Sequence, residues 1–219
     1  MSQFAGDKKH GPQSILGPLE RKAIDWAVPK LPLWITSARL TMTTVLRSLV
    51  IILGSLAAEH WHINWLWLGS AMIVMQYITD SLDGSLGKYR KEGLIKWGYY
   101  MDHFLDYVFL CSMLIGYGFL LPDNQKYILF LVLATLTAFM VNSFLAFAAT
   151  NKFRITHLGI GPTEIRLIFI LINTLIIFFG KTYIAFLLPY VLTASLIGLC
   201  ILVYHTQKEI WAEDMRLKF

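Results

Sequence analysis

Six hydrophobic stretches, each close to the length of a membrane-spanning helix, dominate this chain of 219 residues. A helix that crosses a bilayer needs about 20 mostly apolar residues, and it must satisfy its backbone hydrogen bonds internally because lipid offers none. Apolar residues make up 56% of the chain and charged residues only 15%. The predicted spans are 34–58, 63–79, 98–121, 127–149, 163–179 and 183–204. We therefore predict an all-α integral membrane protein with six transmembrane helices.

The segment before the first span mixes apolar and charged residues between positions 14 and 30. This pattern is typical of an amphipathic helix at the membrane interface. Pro18 and Pro29 limit the helix length, so a solvated tail with one helical turn is the alternative. We expect three parts: a cytoplasmic N-terminal segment (1–33) with this helix, a six-helix transmembrane catalytic domain (34–205) and a cytoplasmic C-terminal tail (206–219).

Lysine and arginine residues are distributed unevenly between the two ends of the predicted spans. Cytoplasmic loops of membrane proteins carry an excess of these residues. They precede span one, separate spans two and three, separate spans four and five, and follow span six, whereas the opposite side holds only Lys126 and Lys181. Both termini are therefore predicted to be cytoplasmic. Topology and anionic lipid explain the net charge of +5, and because no basic-aromatic module is visible we expect no nucleic-acid partner.

Four of the eight aspartates fall in one short window that runs from the end of span two into the start of span three: Asp80, Asp83, Asp102 and Asp106. Carboxylates are costly at membrane depth unless they pair, bind a metal or line a wet cavity. Residues three or four apart share a helix face. The two carboxylates of each pair, Asp80 with Asp83 and Asp102 with Asp106, should therefore lie on the same side of their helix. The orientation predicted above puts this cluster at the cytoplasmic side.

The segment between the two aspartate pairs, residues 84–98, contains glycines and basic residues. We expect it to turn back at the membrane surface, so that the four carboxylates converge on one cavity. Their mutual repulsion favours bound divalent metal, and an all-oxygen ligand set suits Mg²⁺, Mn²⁺ or Ca²⁺. Because Mg²⁺ often combines carboxylates with substrate phosphates, a diphosphate substrate is indicated.

Small and basic residues follow the first aspartate pair. Gly84 and Gly87 would let a ligand approach the backbone closely, and Lys88 could hold phosphate oxygens. The alternative for the glycines is helix–helix packing in the membrane. Arg47 lies well inside the first span, and an arginine there must face a cavity, a carboxylate or a headgroup.

The complete pattern resembles a known family signature. It runs Asp80-x-x-Asp83-Gly84-x-x-Gly87-Lys88, nine residues, then Gly98-x-x-x-Asp102-x-x-x-Asp106, and it is similar to D-x-x-D-G-x-x-A-R…G-x-x-x-D-x-x-x-D of the CDP-alcohol phosphotransferases. Gly87-Lys88 stands where that family has Ala-Arg, and lysine lacks the bidentate fork of arginine. A weaker pattern, Pro32-x-x-x-Thr36-x-x-Arg39, also resembles the family, with Leu33 in place of its usual asparagine.

The resemblance implies a membrane phosphotransferase of phospholipid biosynthesis, which transfers a substituted phosphate group from a CDP-alcohol to an acceptor alcohol and releases CMP. It implies that Asp80, Asp83, Asp102 and Asp106 bind one or two Mg²⁺ or Mn²⁺ ions, and that Asp106 is also the catalytic base. Gly84, Gly87, Lys88, Thr36 and Arg39 are the candidates for nucleotide and diphosphate binding. One of the two substrates should be a lipid, and the family suggests a homodimer in a cytoplasmic membrane of the bacterial or archaeal type.

Three further residues are candidates for binding the acceptor or a headgroup: Arg154, Arg166 and His103. For the arginines the alternative is positive-inside charge. For His103, beside Asp102, the alternative is packing or a hydrogen bond to a carbonyl.

Other functions compatible with buried aspartates are an intramembrane prenyltransferase-type diphosphate enzyme and a cation or proton transporter. Prenyltransferases of this kind carry two well-separated motifs, and transporters place carboxylates near the midplane on broken helices. An inactive relative would have lost the aspartates, and all four are present.

Overall fold

The computed structural model of the chain describes residues 17–153 and 161–217, and the regular elements in these ranges are all helical. The α-helices are α1 (Gly17–Ala27), α2 (Ser37–His60), α3 (Leu66–Tyr89), α4 (Ile95–Leu120), α5 (Lys126–Thr150), α6 (Pro162–Phe179) and α7 (Thr182–Leu217). Short 3₁₀ turns lie at Val28–Lys30, Ile63–Trp65 and Asp123–Gln125. The prediction of an all-α protein is therefore confirmed for the described residues.

Within the described ranges, five helices are long and apolar enough to cross a membrane: α2, α4, α5, α6 and α7. The chain is therefore a membrane protein. The remaining long helix, α3, contains the predicted second span but continues through Asp80 and Asp83 to Tyr89, and these charges lower its overall hydropathy. The count of six spans stays a prediction.

Helix α1 corresponds to the predicted juxtamembrane helix. It is followed by a 3₁₀ turn that contains Pro29, and the Lys30 ammonium lies 3.5 Å from the centre of the exposed Trp26 ring. The position of this helix at a membrane interface stays a prediction, and residues 14–16 of the predicted segment lie outside the described ranges.

Helix α2 is the centre of the packing, with α3 and α4 against it; α6 packs on α3, and α5 pairs with α7. The core consists of buried apolar side chains from all six long helices, among them Ile51, Ile73, Met113, Val132, Ile176 and Leu188. Small residues permit the close approach of α2 and α4: a methyl group at Gly116 would lie 3.1 Å from Ser55 Cβ. This use of small residues is common between membrane helices.

The turn between α3 and α4 is shorter than expected. The chain does turn back within residues 84–98 as predicted, but the reversal is confined to residues 90–94, because α3 continues to Tyr89 and α4 already begins at Ile95. The fully buried Leu86 fastens the end of α3 to the core. Lys91 and Gly93 then adopt positive φ angles of 54° and 74°, and the Glu92 amide closes the helix by donating to the Gly87 carbonyl at 3.0 Å.

Side chains of this turn fasten it to the start of α2. The Arg90 guanidinium donates to the carbonyl of Leu31 at 2.7 Å and also to that of Ile35. Glu92 accepts the backbone amide of Ser37 at 3.1 Å. The first turn of α2 and the last turn of α3 therefore meet at the same end of the bundle.

Helix α7 continues past its predicted span and through most of the predicted C-terminal tail, to Leu217. Contacts with α5 and with the residues just after it accompany this extension. Asn142 donates to Thr206 at 3.3 Å, and Lys152 forms an ion pair with Glu213.

Candidate functional site

Three of the four predicted aspartates converge between α3 and α4. Asp80, Asp102 and Asp106 each offer a carboxylate oxygen, and the three oxygens lie within 4.8 Å of one another. All three side chains are partly buried. Asp102 and Asp106 are one turn apart on one face of α4, and the short α3–α4 turn brings that face to Asp80.

Asp83 lies outside this group of three. It is 8% exposed, and its Oδ2 accepts a hydrogen bond of 2.8 Å from the Thr41 hydroxyl of α2. Its other oxygen, Oδ1, accepts the Gly84 backbone amide at 2.5 Å. Three helical residues span about 300°, given 3.6 residues per turn, so Asp80 and Asp83 point in directions about 60° apart. Asp83 thus turns toward α2, whereas Asp80 meets α4 and α6.

Arg166 of α6 lies against the aspartates. Its Nη2 donates to Asp80 Oδ2, and the same nitrogen is 3.6 Å from Asp106 Oδ1. A partly buried guanidinium there offsets part of the repulsion among the carboxylates. The sequence makes Arg166 a candidate for binding the acceptor or a headgroup; in the structure it contacts two carboxylates of the cluster.

A second cation reaches Asp80 through an intervening amide. The Gln76 side chain, one turn before Asp80 on α3, donates from Nε2 to Asp80 Oδ1 at 2.7 Å. Its Oε1 accepts from Nε of Arg47 on α2 at 2.8 Å. Arg47 is therefore linked to the aspartate cluster through Gln76. Its position inside a predicted span suggested a polar partner of this kind.

Thr41 and Gln76 also contact the aspartates, and neither is among the candidates predicted from sequence. For Gln76 one signal was present: a polar side chain inside the apolar stretch that ends at the acidic window. Gln76 also precedes Asp80 by four residues, the spacing of neighbours on a helix face. Thr41 is 42 positions from Asp83, and nothing in the local pattern connects the two.

The two motif glycines differ in their surroundings. A methyl group added at Gly84 would meet nothing within 4 Å, whereas one at Gly87 would lie 3.3 Å from Ser37 Oγ. Gly84 therefore leaves free space beside Asp83, and Gly87 allows the end of α3 to pack against the start of α2. Lys88 is exposed in the last turn of α3.

The weaker motif before α2 has local roles. Thr36 is the N-cap of α2, and its hydroxyl accepts the Arg39 backbone amide at 3.2 Å. The exposed Arg39 guanidinium donates to the Trp34 carbonyl. These hydrogen bonds are local to the start of α2, so the part of Thr36 and Arg39 in nucleotide binding stays a prediction.

His103 packs within an aromatic cluster beside Asp102. Its Nδ1 lies 2.6 Å from the Tyr99 carbonyl, which assigns the proton to this nitrogen, and 3.8 Å from Asp102 Oδ2. The rings of Tyr99 and Phe153 are 4.5 Å and 4.7 Å from its ring. These contacts match the packing alternative for His103. Arg154, the third acceptor candidate, lies outside the described residues.

The convergent carboxylates fit a divalent cation. With Mg²⁺–oxygen bonds of about 2.1 Å, neighbouring ligand oxygens on one ion lie roughly 3 Å apart and opposite ones roughly 4 Å apart. The spread of 4.8 Å among Asp80, Asp102 and Asp106 can close by small side-chain rotations. The donors are all oxygens, which Mg²⁺ and Mn²⁺ prefer.

Comparisons with known proteins agree with the motif. The family model described as CDP-alcohol phosphatidyltransferase matches residues 29–203, a range that contains α2 to α6, most of α7 and all four aspartates. Comparison with curated proteins and with solved structures found no significant match. Because the family model covers most of the sequence, the chain belongs to the CDP-alcohol phosphatidyltransferase family.

Proposed function

We propose that this protein transfers a substituted phosphate group from a CDP-alcohol to an acceptor alcohol, with release of CMP, in the synthesis of a phospholipid. The observation that carries the proposal is the convergence of Asp80, Asp102 and Asp106 within the matched region. One of the two substrates is a lipid. The donor is CDP-diacylglycerol with a soluble acceptor, or a soluble CDP-amino-alcohol with diacylglycerol.

The proposed reaction needs a proton acceptor and control of charge. The acceptor oxygen forms a bond to a phosphorus of the diphosphate, the bond from that phosphorus to the bridging oxygen breaks, and CMP leaves with the bridging oxygen. Asp106 takes the proton of the attacking hydroxyl, a role for a positioned carboxylate. Asp80, Asp83 and Asp102, with Asp106 as a further ligand, would hold one or two Mg²⁺ or Mn²⁺ ions, which would neutralise the diphosphate charge that builds up during transfer.

Residues at the edge of the aspartate cluster are suited to binding the CDP-alcohol donor. The open space at Gly84 would admit a phosphate close to the α3 backbone. The exposed Lys88 lies one turn further along the same helix. We propose that these two residues, with Thr36 and Arg39, bind the nucleotide and diphosphate of the CDP-alcohol. Arg166 contacts both Asp80 and Asp106, and from that place it would also reach a phosphate of the acceptor.

We propose that the site opens to the cytoplasm. The cluster lies at the end of the bundle that carries Lys88, Arg90 and Lys91, and positive charge favours the cytoplasmic side. At the other end of the helices, Lys126 pairs with Asp123 and Lys181 pairs with Glu59. A water-soluble cytidine nucleotide would then reach the site from its own compartment.

The function is tested by release of CMP from purified protein in lipid nanodiscs. A panel of CDP donors and acceptor alcohols is supplied with Mg²⁺ or Mn²⁺, and both CMP and the lipid product are measured. We expect turnover with one donor–acceptor pair, and loss of turnover with a chelator. Asp83→Asn and Asp102→Asn should abolish turnover without unfolding the protein. A matched control is Asp123→Asn, because Asp123 is exposed at the opposite end of the bundle.

The proposed homodimer is tested separately, by native mass spectrometry of the same preparation. A purely monomeric active preparation would contradict it. Wild-type turnover by Asp83→Asn or Asp102→Asn would contradict the assignment of metal ligands.

A further inference from the structure

The Gln76 side chain is completely enclosed between two charged groups. It is 1% exposed, its carbonyl oxygen accepts from Arg47 Nε at 2.8 Å, and its amide nitrogen donates to Asp80 Oδ1 at 2.7 Å. A polar side chain in such a place must satisfy its hydrogen bonds or it costs stability. Both ends of this amide are satisfied.

The neighbours of Gln76 allow its amide only one orientation. A guanidinium has no acceptor atom, and an ionised carboxylate has no donor. The oxygen of Gln76 must therefore face Arg47 and its nitrogen must face Asp80. If the amide were flipped, its nitrogen would face the Arg47 donor and its oxygen would face the Asp80 acceptor, and neither pair could form a hydrogen bond.

Arg47 is itself held in place by α2. It is 3% exposed, and its nitrogens also donate to Thr43 Oγ1 at 2.7 Å and to Thr44 Oγ1 at 3.1 Å. All three acceptors are neutral, so the positive charge is oriented but not cancelled by its own hydrogen bonds. The nearest carboxylate reached by this network is that of Asp80, beyond the Gln76 amide.

We infer that Gln76, oriented by Arg47, is a positioning residue that sets the rotation of the Asp80 carboxylate for metal binding. Oδ1 of Asp80 is held by Gln76 and Oδ2 by Arg166. Each carboxylate oxygen has about two lone-pair directions, so a cation can still bind where the two protein donors do not. This inference rests on the proposed function, since it requires a metal at the aspartates. Groups that hydrogen-bond to metal ligands commonly fix their orientation in this way.

A second buried amide provides the control. Asn173 of α6 is also 1% exposed; it accepts from the Tyr117 hydroxyl at 2.8 Å and donates to Ser70 at 3.1 Å. Its partners are neutral and none is an aspartate. Loss of this amide should affect helix packing as the loss of Gln76 does, without changing the metal site.

The experiment measures Mn²⁺ affinity by electron paramagnetic resonance on purified protein without nucleotide, so that turnover is not the readout. We expect Gln76→Leu to raise the Mn²⁺ dissociation constant by about 10- to 100-fold, and Asn173→Leu to leave it unchanged. Arg47→Met should weaken binding as well, and Arg47→Lys less than Arg47→Met. Because Arg47 acts through Gln76, the double variant Arg47→Met/Gln76→Leu should bind hardly worse than Gln76→Leu alone, a non-additive result.

Thermal unfolding of each variant is measured in parallel, and Arg47→Lys replaces Gln76→Leu if the latter does not fold. Unchanged Mn²⁺ affinity in folded Gln76→Leu or Arg47→Lys, while Asp102→Asn loses binding, would overturn the positioning role and leave the proposed function intact. Equal weakening by Asn173→Leu would also overturn it. Failure of the wild-type protein to bind Mn²⁺ would overturn both proposals.

Discussion

The Thr41 hydroxyl of α2 donates a hydrogen bond of 2.8 Å to Asp83 on α3, in a place that is nearly closed to solvent. The same helix provides Arg47, which reaches Asp80 through Gln76. Helix α2 offers no aspartate to the site, yet it orients both aspartates of α3. The packing of α2 on α3 is therefore part of the site.

Thr41→Val should lower turnover by about 10- to 100-fold, because a hydrogen bond to a charged group contributes about 1.5–3 kcal/mol and valine keeps the volume of threonine. CMP release measures the effect. Thr41→Ser keeps the hydroxyl and should retain most of the activity. Thr135→Val is the matched control, since the Thr135 hydroxyl donates to the Leu131 carbonyl of its own helix. Full activity in Thr41→Val would show that Asp83 does not depend on this bond.

Gly84→Ala and Gly87→Ala should have opposite effects. Alanine at Gly84 meets no neighbour within 4 Å and is a better helix former by about 1 kcal/mol, so we expect a higher unfolding temperature but weaker binding of CDP. Alanine at Gly87 would press on Ser37 Oγ at 3.3 Å, so it should lower the unfolding temperature. Thermal unfolding and CDP titration measure the two effects. Undiminished CDP affinity in Gly84→Ala would remove Gly84 from the donor site.

Asp106→Asn should reduce kcat by about 10²- to 10⁴-fold, the usual contribution of a general base, with a smaller loss of nucleotide affinity. Asn keeps the size of the side chain but accepts no proton. Rates under saturating substrate and CDP titrations separate the two quantities. Asp102→Asn is the comparison, because there we expect metal and nucleotide binding to fall together. Equal losses of rate and affinity in Asp106→Asn would make Asp106 a ligand only.

Gly116→Ala should destabilise the protein by about 1–3 kcal/mol, the usual cost of overpacking a core, because the new methyl would lie 3.1 Å from Ser55 Cβ. The unfolding temperature in detergent measures this effect. Gly118→Ala, whose methyl would lie 3.5 Å from Leu129 Cδ2, is the control and should unfold close to wild type. Equal stability of the two variants would mean that α2 and α4 can move apart at little cost.

The assignment of the four aspartates as metal ligands stays a prediction, and the structure adds the geometry of three of them. Spacing alone placed Asp102 and Asp106 on one helix face, and the structure brings both to Asp80. The fourth carboxylate, that of Asp83, does not join this group and instead accepts a hydrogen bond from Thr41. The expected reversal between the two aspartate pairs is present but shorter than the whole link, because residues 84–89 still belong to α3.

What the sequence determined by itself is what depends on neighbours along the chain: apolar runs long enough to span a membrane, aspartates at helical spacing and basic residues that favour one side. What only the tertiary structure decided are contacts between distant segments. Arg166 lies 86 positions from Asp80, and Arg47 lies 29 positions from Gln76. Periodicity describes which residues share a face of one helix, but the partner of that face depends on how the helices pack, and packing depends on the shapes of many side chains at once.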